Sequence, residues 1–581
     1  MPSPSRELKG SVRFDLPLVV SFLVFFTTVL NLDVLRLGFI GDDYLILDEV
    51  QNRGVHFLGG WIQDSGLYRP FVSASFWVNF KLFGTNALGY HVFNLLLHIG
   101  NSVLLFFLLK TIIRAFHFSD ELDEHRQNAI SFLLTCVFII HPANVHDVAW
   151  ISGRTDVLCC FFFLSSFLLY LKFEIVSRKW VRVASLCLFV CALACKETAV
   201  VLPFVLLLES YSLKMIYRGI QNKKDITQPL WRVSPYLAVL LVYMIARSVV
   251  LPAVEVKIDL NSLGVYEVLA LMAKPFFLFV SPFDPMSAYK LFAEHRIVVI
   301  SVAVSLMGLV GLILTPTFIR YRAPFLRAVA VLIGSMILAV LPYYVNGVIT
   351  QRLMYIPLVV GVVFSIPLFL FCFRVAQQST LTRYMAVALG IEMISVYLVS
   401  YRNNMDGWIS ASRLEKQLMD GLVSQLADPG APIVVMTYPQ RVNQSLILWS
   451  LPARIHYATH GTFGAAENVR MGFYIVGSSY SSIGSSFEYN RSDILGGSFS
   501  IEGLSEFEYP MIDQSDMKQS EGTMVFEQSG RSARNNLIAA TIVSVNEIGR
   551  PQKYEVKVID EAFYSKAQVF LFQHGRMVRI Q

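Results

Sequence analysis

The stretch FIGDDYLI, residues 39–46, places two adjacent carboxylates, Asp42 and Asp43, close behind an apolar run that begins near Phe14. A run of about 20 apolar residues is long enough to cross the roughly 30 Å hydrocarbon core of a bilayer. The two charges are therefore predicted to lie where the chain leaves the lipid. Ionisable groups at such a place cost free energy, so the pair is a candidate functional site.

The composition indicates that most of the chain lies in a membrane. Of its 581 residues, 55% are hydrophobic and only 15% are charged, and the mean hydropathy is +0.54. We predict about eleven transmembrane helices between Phe14 and Tyr401. The first apolar run lacks a small-residue cleavage pattern and is interpreted as a retained helix. The predicted fold class is an α-helical polytopic membrane protein with a C-terminal extramembrane domain that is α+β or mostly β.

Lys and Arg cluster at every second connection between the apolar runs. Cytoplasmic loops are enriched in these residues, so the N-terminus is predicted to be cytoplasmic and the C-terminal domain external. The net charge of +6 then reflects topology, and no nucleic-acid partner is expected. All seven cysteines fall in or beside apolar runs. The absence of a disulfide framework outside the membrane favours a bacterial inner membrane over the endoplasmic reticulum.

The composition predicts three parts of the chain. Residues 1–401 form the transmembrane domain, and residues 402–430 an interfacial helix and linker. Leucines recur at every fourth position of this linker: Leu414, Leu418, Leu422 and Leu426. β-rich runs such as YEVKVID, residues 554–560, alternate with Gly, Ser and Asn clusters and predict a β-rich external domain over residues 431–581.

One face of the second predicted span, YHVFNLLLHIGN (residues 90–101), carries polar side chains. They recur at intervals of three and four residues: His91, Asn94, His98 and Asn101. A stripe of this kind faces protein or water rather than lipid. Hydrogen bonds between helices explain His98 and Asn101 as well as a functional role does. His91 and Asn94 lie nearer the external end and are predicted to contact substrate.

The stretch HPANVHDVAWISGRTDVL, residues 141–158, is a predicted external turn between two spans. If it is helical, Asp147 and Arg154 share a face and form a structural ion pair. Alternatively, Arg154 and His146 donate hydrogen bonds to an anion. The planar, permanently charged fork of arginine suits phosphate.

Further cations stand at predicted external span ends, where Lys and Arg are normally depleted. They are Lys196, next to Glu197 in CKETAV, and Arg352 in QRLMYIP. Together with Arg154 they indicate an anionic partner. In LYRPFVSASFWVNF, residues 67–80, Tyr68 and Arg69 precede Pro70, which starts a predicted amphipathic helix on the membrane surface. Anchoring to lipid headgroups is the alternative role for Arg69.

In their order along the chain, these motifs resemble the transmembrane O-mannosyltransferases that carry tetratricopeptide repeats. The motifs are DD, YRP, YHVFNLLLH, HPANVHDVAWISGRTDVL, CKETAV and QRLMYIP, within about residues 1–400. More broadly, the chain resembles the C-type glycosyltransferases (GT-C), which include the protein O-mannosyltransferases and the lipid A aminoarabinose transferases. The chain departs from the first group because the predicted β-rich domain takes the place of the repeats.

The resemblance implies transfer of a sugar, with mannose as one candidate, from a polyprenyl-phosphate or dolichyl-phosphate carrier to an acceptor on the external face. The family's acidic base in the first external loop corresponds to Asp42, with Asp43 at the neighbouring acidic position. Cations expected to bind the donor phosphate are Arg154, His146, Lys196 and Arg352. Residues expected to bind substrate are Tyr68, Arg69, His91, Asn94, Asp156 and Glu197.

This chemistry agrees with the residues themselves. Attack of an acceptor hydroxyl on the anomeric carbon needs a base near the nucleophile. Cations on the other side of the sugar stabilise the leaving phosphate, so a single displacement with inversion is predicted. Two Asp side chains are also hard ligands for a divalent cation, but they make an incomplete cage, and no metal or cofactor is expected. The acceptor is a protein, a glycan or a lipid.

A transporter or flippase for a lipid-linked sugar is the alternative function. It predicts polar residues at the bilayer midplane and interrupted spans in related halves of the chain. The charges instead stand at predicted external span ends, with Arg247 in YMIARSVV as an exception. A scaffold whose external domain binds a partner is the third class, and it would leave Asp42 and Asp43 without a role.

Overall fold

A computed structural model describes most of the membrane part of the chain and the strands of the C-terminal part. The described residues are 15–60, 68–115, 123–217, 223–250, 265–283, 322–343, 351–428, 430–442, 445–446, 451–461, 463, 469–476, 488–489, 498–502, 525–526, 532–534, 538–545, 551–558, 566–573 and 576–579.

Helices dominate this structure up to residue 424. In chain order they are α1 Leu16–Leu30, α2 Asp43–Arg53, α3 Phe57–Gly60, α4 Pro70–Phe83, α5 Ala87–Ala115, α6 Glu124–Ile139, α7 Asn144–Ala149, α8 Arg154–Val176, α9 Lys179–Leu193, α10 Leu202–Tyr217, α11 Lys223–Val250, α12 Val265–Val280, α13 Arg322–Tyr343, α14 Tyr355–Ala376, α15 Thr380–Ser424 and α16 Leu451–His460. Short 3₁₀ turns include Ile151–Gly153, Glu197–Val201 and Gln351–Leu353.

Six of the described helices are long and apolar enough to cross a membrane. They are Ala87–Arg114, Ile151–Val176, Thr227–Val249, Arg322–Tyr343, Tyr355–Ala376 and Thr380–Ser424. The helix α1 is apolar but shorter, with 15 residues. The predicted helical polytopic membrane protein is confirmed. The total of about eleven spans stays a prediction, since the stretches 251–264 and 284–321 lie outside the described residues.

The helix α4 begins at Pro70, as the sequence predicts. Proline is tolerated in the first turn because the N–H that it lacks would have no partner within the helix. The helix ends at Phe83, and the next residue, Gly84, has a φ of 55°, which glycine adopts without steric cost. Phe71 and Leu82 are exposed while Phe76 is buried, so one apolar face of α4 is left for contact with lipid.

The last predicted span and the interfacial helix after it form one continuous helix, α15, of 45 residues. At 1.5 Å per residue it is about 67 Å long, roughly twice the thickness of the hydrocarbon core. The predicted boundary at residue 401 is therefore not a helix end. Leu414, Leu418 and Leu422 are buried in the protein, so this leucine stripe packs against the rest of the chain.

The described strands of the C-terminal part form two sheets. Their bounds are β1 Ile433–Val442, β2 Ser445–Leu446, β3 Val469–Val476, β4 Glu488–Tyr489, β5 Ser498–Glu502, β6 Val525–Phe526, β7 Ser532–Arg534, β8 Ile538–Val545, β9 Pro551–Val558, β10 Gln568–Gln573 and β11 Arg576–Arg579. In the first sheet β1 is parallel to both β3 and β10, and α16 lies between β2 and β3 along the chain. The second sheet is antiparallel, in the order β4-β5-β9-β8-β7-β6.

The first sheet is attached to the end of α15 by hydrogen bonds. The N–H of Ala427 donates to Oε1 of Gln568 at 2.7 Å, and Nε2 of Gln568 donates to the carbonyl of Asp428 at 2.6 Å. The N–H of Arg579 donates to Oε1 of Gln425 at 2.9 Å. These bonds fix the first sheet to the C-terminal end of α15.

Candidate functional site

Asp43, the first residue of α2, is buried and fully engaged by neighbouring groups. Its Oδ2 accepts a hydrogen bond from the N–H of Ile40 at 2.9 Å. Its Oδ1 accepts two from Ser152, one from the N–H at 3.0 Å and one from the hydroxyl at 2.5 Å. Burial raises the pKa of Asp43 to about 7, although the hydrogen bonds from Ser152 oppose the shift. Asp43 therefore ties the first loop to the turn Ile151–Gly153.

Asp42 is only half-buried, and its side chain accepts no hydrogen bond from the described residues. Burial raises the pKa of this carboxyl, while the positive charge of Arg352 lowers it. A carboxylate with unoccupied oxygens and a raised pKa is better suited to accept a proton than one held by hydrogen bonds. Of the two predicted catalytic carboxylates, Asp42 is thus the one whose geometry suits a base.

Arg352 is exposed and lies in the turn Gln351–Leu353, which packs against α7. It interacts electrostatically with Asp42 and with Asp147 of α7. Asp147 is buried, and its Oδ2 has no hydrogen-bond partner among the described residues. Burial and the charge of Asp156 raise the pKa of Asp147 well above its ordinary value. Arg352 forms no hydrogen bond and no ion pair within 4 Å with the described residues, so its guanidinium donors are open to an anion; its binding of the donor phosphate stays a prediction.

Lys196 and Asp156 form a buried ion pair. The Lys196 Nζ lies 2.5 Å from Oδ2 of Asp156 and 5.6 Å from the centre of the Tyr343 ring. The pair joins the segment after α9 to the first turn of α8. The positive charge that the sequence assigned to a donor phosphate is therefore partly neutralised by a neighbouring carboxylate.

Arg69 and Arg247 share the carboxylate of Glu197. Arg69 Nη2 lies 2.9 Å from Oε2 of Glu197, and Arg247 Nη1 lies 3.5 Å from Oε1. Burial would raise the pKa of Glu197, but the charge and hydrogen bond of Arg69 outweigh it and lower the pKa to about 2. Two cations on one carboxylate leave a net positive charge. Arg69 is thus held by protein, and Arg247 lies with the loop residues at the end of α11 rather than alone in mid-span.

Arg154 is fully buried, and its donors are taken by other parts of the protein. Its Nε donates to Oδ1 of Asn94 at 2.8 Å, and its Nη2 donates to the carbonyl of Tyr90 at 3.2 Å. The guanidinium carbon also lies 4.4 Å from the centre of the Phe76 ring and 4.6 Å from that of Phe93. Through these contacts Arg154 joins the start of α8 to α4 and α5.

Arg154 and Asp147 do not form the ion pair considered from their spacing. The helix α7 ends at Ala149, a 3₁₀ turn follows, and α8 begins at Arg154, so the two residues do not share a helix face. The turn approaches α7 closely, since a Cβ at Gly153 would lie 2.7 Å from the backbone of Asp147. Glycine is therefore needed at this position.

The inner half of the polar stripe on α5 makes hydrogen bonds between helices, one of the two roles considered. His98 Nδ1 lies 2.6 Å from the hydroxyl of Tyr355 in α14. Asn101 donates to the carbonyl of Val157 in α8 at 2.9 Å. These contacts connect α5 with two neighbouring helices.

The outer half of the stripe contacts the loops. His91 Nε2 lies 3.4 Å from the carbonyl of Gly38 in the first loop. Asn94 Nδ2 lies within hydrogen-bonding distance of the carbonyls of Trp150 and Ile151, at 3.2 and 3.1 Å. Both side chains are buried. They are thus placed to hold the first loop, which carries Asp42 and Asp43, and the turn Ile151–Gly153, and their contact with substrate stays a prediction.

The other predicted residues lie around this cluster. His146 is buried, with its ring 5.5 Å from that of Trp408 in α15, and Tyr68 is exposed just before α4. Ser152 was missed, because a serine in a short turn has no periodic pattern. Among the described residues, no group of three or more His, Cys, Asp or Glu side chains is arranged to hold a metal ion. The expectation of a metal-independent site stays a prediction.

Known proteins resemble part of the chain. Protein O-mannosyl-transferase TMTC4 of Homo sapiens is 34% identical over 143 residues, covering 23% of this chain and 19% of the relative. Protein O-mannosyl-transferase Tmtc1 of Drosophila melanogaster is 30% identical over 186 residues, covering 30% of this chain and 20% of the relative. Protein O-mannosyl-transferase F38B6.6 of Caenorhabditis elegans is 32% identical over 114 residues, covering 20% and 15%.

The matches span a fifth or less of the length of these relatives. No protein-family model matches the chain. The resemblance to transmembrane O-mannosyltransferases that the ordered motifs indicate is nevertheless confirmed by these similarities. The relatives named here are animal proteins, and the preference for a bacterial inner membrane stays a prediction.

Proposed function

We propose that the protein is a membrane glycosyltransferase that moves a sugar from a polyprenyl-phosphate or dolichyl-phosphate carrier to an acceptor hydroxyl on the external face. The similarity to protein O-mannosyl-transferases supports the reaction class. The single observation that carries the mechanism is the half-buried Asp42 carboxylate, which accepts no hydrogen bond from the described residues and faces the charge of Arg352.

The proposed step is one displacement at the anomeric carbon. The acceptor oxygen forms a bond to this carbon while its proton passes to a carboxylate oxygen of Asp42. The bond from the anomeric carbon to the phosphate oxygen breaks, and its electron pair leaves with the lipid phosphate. Attack and departure occur on opposite faces of the sugar, so the configuration inverts. General-base catalysis of this kind contributes about 10²–10⁴-fold in rate.

The leaving phosphate needs positive charge, and Arg352 is best placed to supply it. It is exposed, lies close enough to influence Asp42, and has a planar fork that binds phosphate oxygens in pairs. The Arg69–Glu197–Arg247 cluster carries a net positive charge, whereas the charge of Lys196 is partly neutralised by Asp156. Arg154 is assigned instead to holding α8, because its donors bond to Asn94 and Tyr90.

The names of the relatives suggest mannose as the donor sugar and a protein hydroxyl as the acceptor. We adopt both as the first hypothesis for this chain. Glycan and lipid acceptors are tested beside it, since the matched segment covers only a small part of each relative.

The test uses purified protein in liposomes with a panel of radiolabelled polyprenyl-phosphate sugars and separate protein, glycan and lipid acceptors. We expect label to move from one donor to one acceptor class. In a parallel assay, liposomes without acceptor report passage of the labelled lipid between leaflets. If the labelled lipid passes between leaflets and no pair of donor and acceptor gives sugar transfer, the protein is a transporter and the glycosyltransferase proposal is wrong.

A further inference from the structure

The helix α16 and Phe463 reach from the C-terminal part of the chain to the first loop. Tyr457 of α16 and Phe463 stack with ring centres 4.9 Å apart. Tyr44 lies 5.5 Å from Tyr457, and Phe39 lies 5.6 Å from Phe463. We call these four residues the aromatic latch. Ring contacts at such distances are favourable in edge-to-face and offset stacked geometry.

Polar contacts fix the register of the latch. Gln51 of α2 donates from Nε2 to the carbonyl of Phe463 at 2.8 Å, and its Oε1 accepts from the N–H of Phe463 at 3.4 Å. One side chain thereby pairs with both backbone groups of a residue 412 positions away. The contact is specific, since a glutamine amide offers a donor and an acceptor at fixed spacing.

A buried ion pair holds α16 against α15. Arg454 Nη2 lies 2.5 Å from Oε1 of Glu415, and both side chains are almost fully buried. The Arg454 guanidinium also lies 5.6 Å from the centre of the Tyr44 ring. Burying two charges is costly unless their geometry is maintained, so the pair favours one position of α16 over others.

Two latch residues lie on either side of the candidate base, Asp42, along the chain. Phe39 and Tyr44 stand on either side of Asp42 and Asp43 along the chain, and both pack on side chains from the C-terminal part. On the other side, Asp43 is held by Ser152 of the membrane part. The loop is thus held from both sides, and the first sheet that carries α16 is itself bonded to α15.

From these contacts we infer that the C-terminal part is a positioning element of the transferase site, which it completes by holding α2 and the Asp42 carboxylate through the aromatic latch. Its catalytic consequence rests on the proposed function, whereas the contact itself does not. Misplacement of a reacting group by about 1 Å lowers the rate of an enzyme by as much as 10²-fold. Tyr457 and Phe463 are therefore positioning residues for the reaction.

The contact between α16 and α2 is tested by cross-linking, which needs no measurement of enzyme activity. The full-length protein carrying Asp48→Cys in α2 and His456→Cys in α16 is treated in membranes with a short bifunctional maleimide, and mass spectrometry of its peptides distinguishes the linked pair from links that involve the seven native cysteines. The two replaced residues interact electrostatically and lie outside the latch, so the latch itself is left unchanged. We expect a linkage between positions 48 and 456 that is absent from either single variant. Failure to link while both thiols react with a monofunctional maleimide would overturn the latch.

The catalytic consequence is tested with Tyr457→Ala, Tyr457→Phe and the control His460→Ala, whose ring lies on α16 but outside the latch. For Tyr457→Ala we expect kcat about tenfold or more below the wild type with an unchanged donor KM. Tyr457→Phe keeps the ring and should restore kcat, and His460→Ala should match the wild type. Wild-type kcat in folded Tyr457→Ala would overturn the positioning role. If no variant and no wild type transfers sugar, the proposed function fails, and the cross-link still decides whether the latch forms.

Discussion

Asp43 accepts two hydrogen bonds from Ser152, while its neighbour Asp42 accepts none from the described residues. Two carboxylates that look equivalent in the sequence thus differ in what they can do. Asp43 connects two loops, and the carboxylate oxygens of Asp42 are left without a hydrogen bond from the described residues. The proposed roles of Asp42 as the base and Asp43 as a positioning residue follow from this difference.

Ser152→Ala removes the hydroxyl that donates to Asp43 and leaves the backbone N–H. Because a hydrogen bond to a buried carboxyl is lost, we expect the free energy of unfolding to fall by about 1–3 kcal/mol. The midpoint of thermal unfolding in detergent, compared with that of the exposed control Ser424→Ala, measures the change. Equal midpoints for the two variants would show that Asp43 does not depend on Ser152.

The pKa of Asp43 is raised by burial from 3.8 to about 7, so the folded state binds its proton more tightly than the unfolded state. The resulting stabilisation is complete below pH 4 and is lost as the pH rises towards about 7. Asp43→Asn removes this titration. Thermal midpoints between pH 4 and 8 should therefore fall with pH more steeply for the wild type than for the variant. Parallel curves would contradict the raised pKa.

Arg352→Gln removes the charge that lowers the pKa of Asp42. The pKa of Asp42 should rise, so the acid side of the pH profile of transfer should move to higher pH. Since the same arginine is proposed to bind the phosphate, kcat at saturating donor should also fall, by about 10²-fold. The matched control is Arg402→Gln, an exposed arginine held by Asp33 and Asp406. If the pH profile of transfer is the same for Arg352→Gln and the wild type, Arg352 does not set the pKa of the catalytic base.

Arg154→Lys distinguishes a positioning role from phosphate binding. Lysine cannot reproduce the fork that bonds to Asn94 and Tyr90, so we expect a loss of about 1–3 kcal/mol in stability. The donor KM of the folded fraction should not change. If Arg154→Lys keeps the thermal midpoint of the wild type but has a raised donor KM, Arg154 binds the donor phosphate and does not have the positioning role.

Regular patterns in the sequence predicted the elements, while contacts between distant residues did not follow from them. The hydropathy predicted the apolar spans, and Pro70 predicted the start of α4. The stripe on α5 predicted which face is buried, but not that His98 would meet Tyr355, 257 residues away.

Two further features of the structure have no signal in the sequence patterns. The charge of Arg154 at a predicted external span end indicated a phosphate ligand, which stays a prediction, but no pattern indicated the aromatic rings and carbonyls of α4 and α5 that enclose its side chain. The change in composition after Tyr401 suggested a new element, although no proline interrupts α15 between residues 380 and 424.

The most direct test of the account is the single-turnover rate of sugar transfer by wild type, Asp42→Asn and Asp43→Asn, each saturated with the lipid-linked donor found in the panel. We predict that Asp42→Asn binds donor with wild-type affinity and transfers sugar about 10²–10⁴-fold more slowly, while folded Asp43→Asn keeps more of the wild-type rate. Transfer by Asp42→Asn at the wild-type rate would contradict the assignment of Asp42 as the base.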